Sequence, residues 1–478
     1  MNVPRATKIV ATLGPASTPP DVLERILKAG VNVVRVNFSH GTAKEHADAV
    51  DLVRQTARRL GRDVGVLADL QGPKIRIGRF ADGKIDLKIG DRFTFDIECE
   101  LGDQERVGLD YPELVEDVHA GDTLILNDGR IVMTVDRVDA TTIQCTVTQG
   151  GVLSNRKGIN RQGGGLSAPA LTAKDMDDIK TAVGFHADYI AVSFPRSAAD
   201  MYMARELARA AGGKAPQMIA KIERFEAIGN LEEILKASDG IMVARGDLAV
   251  EVGEAAVPAL QKRMIRLAKD LNKLTITATQ MMESMISEPV PTRAEVSDVA
   301  NAVLDGTDAV MLSAETAAGK YPAETVEAMA RICAEADRHE HTSLDVEFVN
   351  RTFTRIDQSI AMSALFVAHH LKVKALVSLT QSGATALWMS RLDSGVPIYA
   401  LTPEEGTRRR LALYREVHPL AMDYESTERE AVLRQAEQIL LKAGVVAKGD
   451  PIVITIGEPI GKAGGTNSMK IVRVGEHG

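Results

Sequence analysis

The chain has 478 residues, enough for several hydrophobic cores and, by length, about three domains. Its 45% apolar and 26% charged residues are those of an ordinary globular chain, and a net charge of −8 leaves no basic footprint for nucleic acid or anionic lipid. Three scattered cysteines, Cys99, Cys145 and Cys333, argue against a disulfide framework or zinc knuckle and for a reducing compartment. No stretch approaches ~18 uninterrupted apolar residues, and Met1–Thr7 leads into a short apolar run with a charge inside it, unlike the apolar core of a leader. The expectation is a cytoplasmic protein with no nucleic-acid or membrane partner.

Short, β-branched apolar runs recur, each followed by a stretch with helical periodicity. They are Lys8–Leu13, Asn32–Phe38, Val64–Leu70, Tyr189–Phe194, Met218–Glu223, Ile241–Ala244, Leu274–Thr279 and Val310–Ala314. Continuous apolar runs suit parallel strands buried on both faces. Thr42-Ala-Lys-Glu45, Thr172-Ala-Lys-Asp175 and Thr292-Arg-Ala-Glu295 predict capping boxes at helix starts, and Pro322 suits a first helical turn. Eight strand–helix units close naturally into a (β/α)8 TIM barrel.

Well over a hundred residues separate the third run from the fourth, too many for a structureless loop, so a domain is inserted there. The insert alternates along Lys84–Ile89, Arg92–Ile97 and Arg130–Val135, with turn signals at Asp82-Gly83, Gly90-Asp91 and Asp128-Gly129. That is an antiparallel, all-β reading. Removing it leaves roughly 240 residues, close to the ~250 typical of the barrel. From about Ser343 the rhythm restarts. Runs at Ala375–Leu379, Ile398–Leu401, Ile452–Ile456 and Lys470–Val474 alternate with amphipathic stretches at Gln358–Leu371 and Glu428–Ala443. The fold class is therefore α/β: a TIM barrel (1–70 and 168–342), an all-β domain inserted after strand 3 (71–167), and a C-terminal doubly wound α/β domain (343–478).

Barrel enzymes carry their chemistry at the C-terminal ends of the strands. Those ends hold Arg35, Asn37 and Ser39 on strand two, Asp69 on strand three and Ser193 on strand four. Lys221 and Glu223 end strand five, Arg245-Gly246-Asp247 follows strand six, Thr279 ends strand seven, and strand eight reaches Glu315. A rim of structural salt bridges is the competing reading for any one of these; the whole set is read as a site. Glu223 and Asp247 are hard oxygen ligands suited to Mg²⁺. Arg35, Arg76 and Lys221 supply the fixed positive charge that a transferring phosphoryl group or an enolate needs. Gly246-Asp247-Leu248 opens a short helix whose N–H groups would bind a carboxylate or phosphate. No Walker A sequence, kinase-type glycine loop or nucleophile elbow is present.

Longer motifs make this specific. Thr7-Lys-Ile-Val-Ala-Thr-Leu-Gly-Pro15, Arg35-Val-Asn-Phe-Ser-His-Gly41, Asp69-Leu-Gln-Gly-Pro-Lys-Ile-Arg76, Lys221-Ile-Glu223, Val243-Ala-Arg-Gly-Asp-Leu248, Thr277-Ala-Thr-Gln-Met281 and Leu312-Ser-Ala-Glu-Thr316 closely resemble pyruvate kinase of the bacterial type, in order along the whole chain. The resemblance implies phosphoryl transfer from phosphoenolpyruvate to ADP, giving pyruvate and ATP. It implies that Glu223 and Asp247 hold Mg²⁺ (or Mn²⁺), that Lys221 stabilises the transferring phosphoryl group, and that Arg35 contacts the phosphate. The backbone of Gly246 and Asp247 would hold the substrate carboxylate, and Thr279 would lie near the carbon that is protonated. His40, Arg76 and Lys157 match nucleotide contacts, Arg76 also serving catalysis. The insert becomes a β-barrel lid over ADP, the C-terminal block a regulatory domain, and the assembly a homotetramer. A metal-dependent barrel lyase or mutase acting on phosphoenolpyruvate or a 2-oxo acid, or a non-enzymatic scaffold, are the alternatives. Neither needs Lys221, both carboxylates and the β lid together.

Two departures from the family matter. K⁺-requiring members bind the ion through groups matching Asn37, Ser39, Asp69 and the carbonyl of Leu70, but Lys74 stands here for a glutamate and Leu70 for a threonine. A tethered ammonium then replaces K⁺, so that the family's K⁺ site is present in part and K⁺ is not required; the alternative leaves Lys74 in solvent and K⁺ in place. The loop Thr380-Gln-Ser-Gly-Ala-Thr385, read as a phosphate cradle formed by Thr380, Ser382, Gly383 and Thr385 or as a plain helix cap, has Ala384 where some fructose-bisphosphate-regulated members carry a basic residue. A monophosphorylated metabolite is the expected activator. Met281, Met282 and Met285 read as packing, the pairs His339/His341 and His369/His370 as ordinary surface or helix residues, Trp388 as packing, and Arg408-Arg-Arg410 as a solvated run that could assist an anionic effector.

Overall fold

The protein is described here by a computed structural model covering residues 4–476 except 128, 340–351, 393, 427 and 462–463. The expected turn residue Asp128, His341 and the expected boundary near Ser343 lie outside the described residues.

The eight apolar runs become the barrel strands β1 (Lys8–Thr12), β2 (Val33–Asn37), β3 (Gly65–Asp69), β4 (Tyr189–Val192), β5 (Gln217–Ile222), β6 (Gly240–Ala244), β7 (Leu274–Ala278) and β8 (Ala309–Leu312). Their order is a closed ring, β1 pairing in parallel with both β2 and β8. Every residue of β1, β3, β6 and β7 is buried, as two-sided cover by helices demands. The helix starts follow the predicted chemistry. Capping boxes form at Thr42/Glu45 and Thr292/Glu295, and Pro322 opens the helix Pro322–His339.

The chain packs as two compact units, residues 1–68, 185–189 and 265–478, and residues 69–184 and 190–264. In the first, a five-stranded sheet runs in the order Val417–Ala421, Ile398–Thr402, Ala375–Leu379, Pro451–Gly457, Thr466–Arg473, the last strand antiparallel. Val417–Ala421 was not legible in the sequence: it is only partly buried and carries Pro419, which an edge position tolerates. This sheet is tied to barrel residues of the same unit by buried ions. Lys8 Nζ donates to the Val417 carbonyl at 2.7 Å, and Arg391 forms a fully buried pair with Asp308. The arginine run is not a solvated face. Arg408 meets Asp63 at 3.2 Å, Arg409 meets Asp188 at 3.1 Å, and the Arg410 carbonyl accepts from the Tyr189 hydroxyl at 2.6 Å. Asp63 and the buried Asp188, just ahead of barrel strands, take the charges of Arg408 and Arg409 that the sequence left for solvent or an effector.

In the second unit the insert forms a two-stranded sheet (Lys84–Leu87 with Gly151–Ser154) and a six-stranded one over a core of its own, including Phe93, Phe95, Ile131 and Ile143. The antiparallel expectation holds except for Arg92–Asp96 with Arg106–Val107 and the isolated bridge Phe80–Gly102, which pair in parallel. The six-stranded sheet is no continuous barrel. Its edges, Ile159–Arg161 and Arg106–Val107, are bridged through residues 76–80 by the isolated pairs Arg76–Gly158, Ile77–Leu109 and Phe80–Gly102. Both ends of the insert are stitched to one side chain. Asp175, fully buried, accepts from the Gly72 amide at 3.0 Å and from the Thr172 amide and hydroxyl at 2.9 and 2.7 Å. Among the described residues no helix is long and apolar enough to cross a membrane.

Candidate active site

At the C-terminal ends of β3–β5 in the second unit, strand alternation points Lys221 and Glu223 the same way. Lys221 Nζ sits 2.8 Å from Ser193 Oγ, 2.9 Å from Glu223 Oε1 and 3.2 Å from Asp69 Oδ1. Ser193 donates onward to the Leu70 carbonyl at 2.7 Å, and Glu223 accepts from the Phe194 amide at 3.0 Å. Asp69, Ser193 and Glu223 are each about 1% exposed. Burial pushes the Glu223 carboxyl above its ordinary range; Lys221 opposes that, while the charges of Asp247 and Asp69 reinforce it. Lys221 thus meets two buried carboxylates, and carboxylate oxygens are the donor chemistry of a hard divalent cation. Among the described residues no three His, Cys, Asp or Glu side chains are arranged to hold a metal. Glu223 and Asp247 would thus supply two ligands and leave the rest to water and substrate oxygens, as Mg²⁺ usually binds.

The helix Arg245–Val252 follows β6 at once, so Gly246 and Asp247 occupy the first turn, where backbone N–H groups meet an anion. Lys74 Nζ lies 3.9 Å from Asp247, whereas Asp69 of the expected K⁺ set is met by Lys221 and the Leu70 carbonyl by Ser193. Arg76 and Lys157 sit together where the insert joins: the Arg76 guanidinium donates to the Arg156 carbonyl at 3.0 Å, and the Lys157 carbonyl accepts from the Ile77 amide at 2.9 Å.

The first unit carries Arg35, His40, Asn37, Ser39 and Thr279. Arg35 is 9% exposed and donates to Thr12 Oγ1 at 3.0 Å. With Thr12, Asn37 and His40 it lines a cleft of about 970 Å³. Asn37 Oδ1 accepts from the Ser39 amide at 3.1 Å, and Ser39 and His40 are exposed. Thr279 has φ +69 and Gln280 φ +54, so the chain leaves β7 through two consecutive left-handed residues, a strained conformation for a β-branched side chain. The turn is anchored by Glu315, which accepts from the Met282 amide at 3.2 Å and the Ser313 amide at 2.6 Å.

In the candidate effector loop the hydroxyls cap their own backbone. Thr380 Oγ1 accepts from the Gly383 amide at 2.9 Å, and Ser382 Oγ from the Ala384 amide at 3.4 Å. Thr385 pairs with Thr466 at 2.7 Å, and Gly383, at φ +88, opens the helix Ala384–Ser390. Met281, Met282 and Met285 are fully buried, as read. The site reading passed over Glu251, a buried carboxylate one helical turn after Asp247. The i, i+4 spacing was its only signal.

A closed parallel barrel with an ammonium, carboxylates and a helix start at the C-terminal ends of its strands is the build of a barrel enzyme. Residues 4–326 match the family model described as "Pyruvate kinase, barrel domain", and residues 358–472 the one described as "Pyruvate kinase, alpha/beta domain". The chain is 52% identical to a pyruvate kinase of Haemophilus influenzae over 95% of this chain and 96% of that one. It is 50% identical to the "Pyruvate kinase II" of Salmonella typhimurium over 98% and 99%. To a pyruvate kinase of Geobacillus stearothermophilus it is 43% identical over 98% of this chain and 80% of that one. The chain belongs to the pyruvate kinase family, in its bacterial form, and is a phosphotransferase.

Proposed function

We propose that the protein catalyses Mg²⁺-dependent transfer of the phosphoryl group of phosphoenolpyruvate to ADP, giving pyruvate and ATP. The observation that carries this reading is the Lys221 ammonium held between Ser193, Asp69 and Glu223 in a buried carboxylate cluster. Fixed positive charge in a dry site stabilises a phosphoryl group in flight at no cost of reorganisation. Glu223 and Asp247 would hold the metal, which would supply Lewis-acid stabilisation of developing negative charge. Arg35 contacts the phosphate, and the Gly246 and Asp247 amides take the carboxylate. Thr279 directs a proton, through water, to the enolate carbon. His40, Arg76 and Lys157 orient ADP. The insert (71–167) acts as a lid on the barrel (1–70 and 168–342), excluding water so that the phosphoryl group reaches ADP rather than being hydrolysed.

The finer proposals follow from the same reading. Lys74 substitutes for K⁺; the loop Thr380, Ser382, Gly383 and Thr385 in the C-terminal domain (343–478) binds a monophosphorylated activator; the enzyme is a cytoplasmic homotetramer. A coupled assay with phosphoenolpyruvate, ADP and Mg²⁺ tests the core. Pyruvate formed with stoichiometric ATP supports it. Consumption of phosphoenolpyruvate without ADP would assign a lyase or mutase instead.

A further inference from the structure

Glu251 has no part in the mechanism above, yet three elements meet on it. It is 4% exposed, on the helix Arg245–Val252, one turn beyond Asp247. Its Oε2 accepts from the amide of Phe225 at 2.8 Å, two residues beyond Glu223. Its carboxylate also bonds the side chain of Asn160, in the insert's last strand, Ile159–Arg161. Its own carbonyl accepts from the Gly163 amide at 3.3 Å. Glu251, Asn160, Lys74 and Asp247 line one small recess.

The chain leaving the insert passes through three consecutive glycines. Gly163, Gly164 and Gly165 all have positive φ, at +83, +79 and +90. Glu226, one residue after Phe225, accepts from the Gly165 amide, and a Cβ on Gly164 would lie 2.6 Å from that carboxylate. Its φ of +79 favours glycine there. The Glu251 carbonyl and the Glu226 carboxylate therefore hold this glycine run from the segments that carry the proposed metal ligands.

We propose that Glu251 is a positioning residue: by binding the loop after Glu223, the helix of Asp247 and the insert's last strand together, it sets the spacing of the two metal carboxylates and links that spacing to the position of the insert. The inference rests on the reading that Glu223 and Asp247 hold the metal. Burying a carboxylate is costly, and burial here pushes Glu251 up to about 7. A residue kept only to fill space would be apolar.

The test measures Mn²⁺ affinity by electron paramagnetic resonance on the full chain without substrates, together with kcat and KM. Glu251→Ala is expected to weaken Mn²⁺ about tenfold or more, as loss of an outer-shell partner does. Glu251→Gln, whose amide oxygen still accepts from Phe225, is expected to stay within about twofold of wild type. Asn160→Ala, which cuts the side-chain link to the insert, is expected to raise KM for ADP while leaving Mn²⁺ affinity unchanged; an unaltered KM for ADP overturns the link to the insert. Unaltered Mn²⁺ affinity in folded Glu251→Ala, or a Gln variant as weak as the Ala variant, overturns the proposal. Glu223→Gln is the control: if it leaves Mn²⁺ binding intact, the metal-site reading fails instead.

Discussion

Replacing Lys221 by methionine removes the one ammonium that contacts Ser193, Asp69 and Glu223 together. From the sequence the change looks nearly silent for fold and metal affinity, with the whole effect on turnover. The geometry says otherwise for the fold. Glu223 and Asp69 are each 1% exposed, and removing one partner of a buried ion pair typically costs about 3–5 kcal/mol. For a folding unit of this size that is a fall in melting temperature of roughly 10 °C. The freed Glu223 oxygen is also a metal ligand in the proposed reading, so saturating Mn²⁺ restores positive charge where the ammonium was. The expected result is therefore a metal-dependent defect: a large loss of thermal stability in chelator, most of it recovered in Mn²⁺, measured at one fixed scan rate. Turnover falls by about 10²–10³-fold or more in either condition, because the metal does not supply the charge that Lys221 presents to the phosphoryl group. A variant keeping more than about a tenth of wild-type turnover, or one equally unstable with and without metal, refutes the assignment.

Glu251 predicts a pH signature. Its raised folded pKa, about 7, favours folding fully below the ordinary glutamate value, and that contribution is lost as pH rises through 7. Wild type should lose roughly 2 kcal/mol relative to Glu251→Gln between pH 5 and pH 8, read as diverging melting temperatures; parallel curves would show that the carboxyl does not titrate in this window. Exchanging K⁺ for tetramethylammonium at constant ionic strength should barely change turnover, and Lys74→Glu should create a K⁺ requirement; a wild-type enzyme inactive without K⁺ refutes the tethered-cation reading. Arg409→Ala, which strands the buried Asp188, should destabilise by roughly 3 kcal/mol in thermal unfolding yet leave activation by sugar monophosphates or AMP intact. Ser382→Ala should abolish that activation, and unchanged activation would remove the loop as the effector site.

Much of the architecture was legible because parallel strands buried on both faces write themselves as unbroken apolar runs, as at Val33–Asn37 and Leu274–Ala278. The capping boxes were equally local: Thr42 and Glu45 need only each other. The edge strand Val417–Ala421 and the isolated bridges of residues 76–80 stayed hidden because pairing at an edge depends on partners distant in sequence. At the site, residue types and strand ends marked Lys221, Glu223 and Asp69. That Lys221 would join all three oxygens, and that Arg408 and Arg409 would be spent on Asp63 and Asp188, is set by packing between segments that no spacing rule connects.

Asp175 closes the insert at its base, receiving the chain from Gly72 on one side and Thr172 on the other. Closing a loop costs free energy that grows only with the logarithm of its length, about 0.6 kcal/mol per doubling. With that closure fixed by one carboxylate, the number of residues carried beyond it scarcely registers in the stability of the strands below. Evolution can lengthen, shorten or exchange the insert while the strands on either side of it stay untouched, and a graft that preserves Gly72, Thr172 and Asp175 keeps the seam.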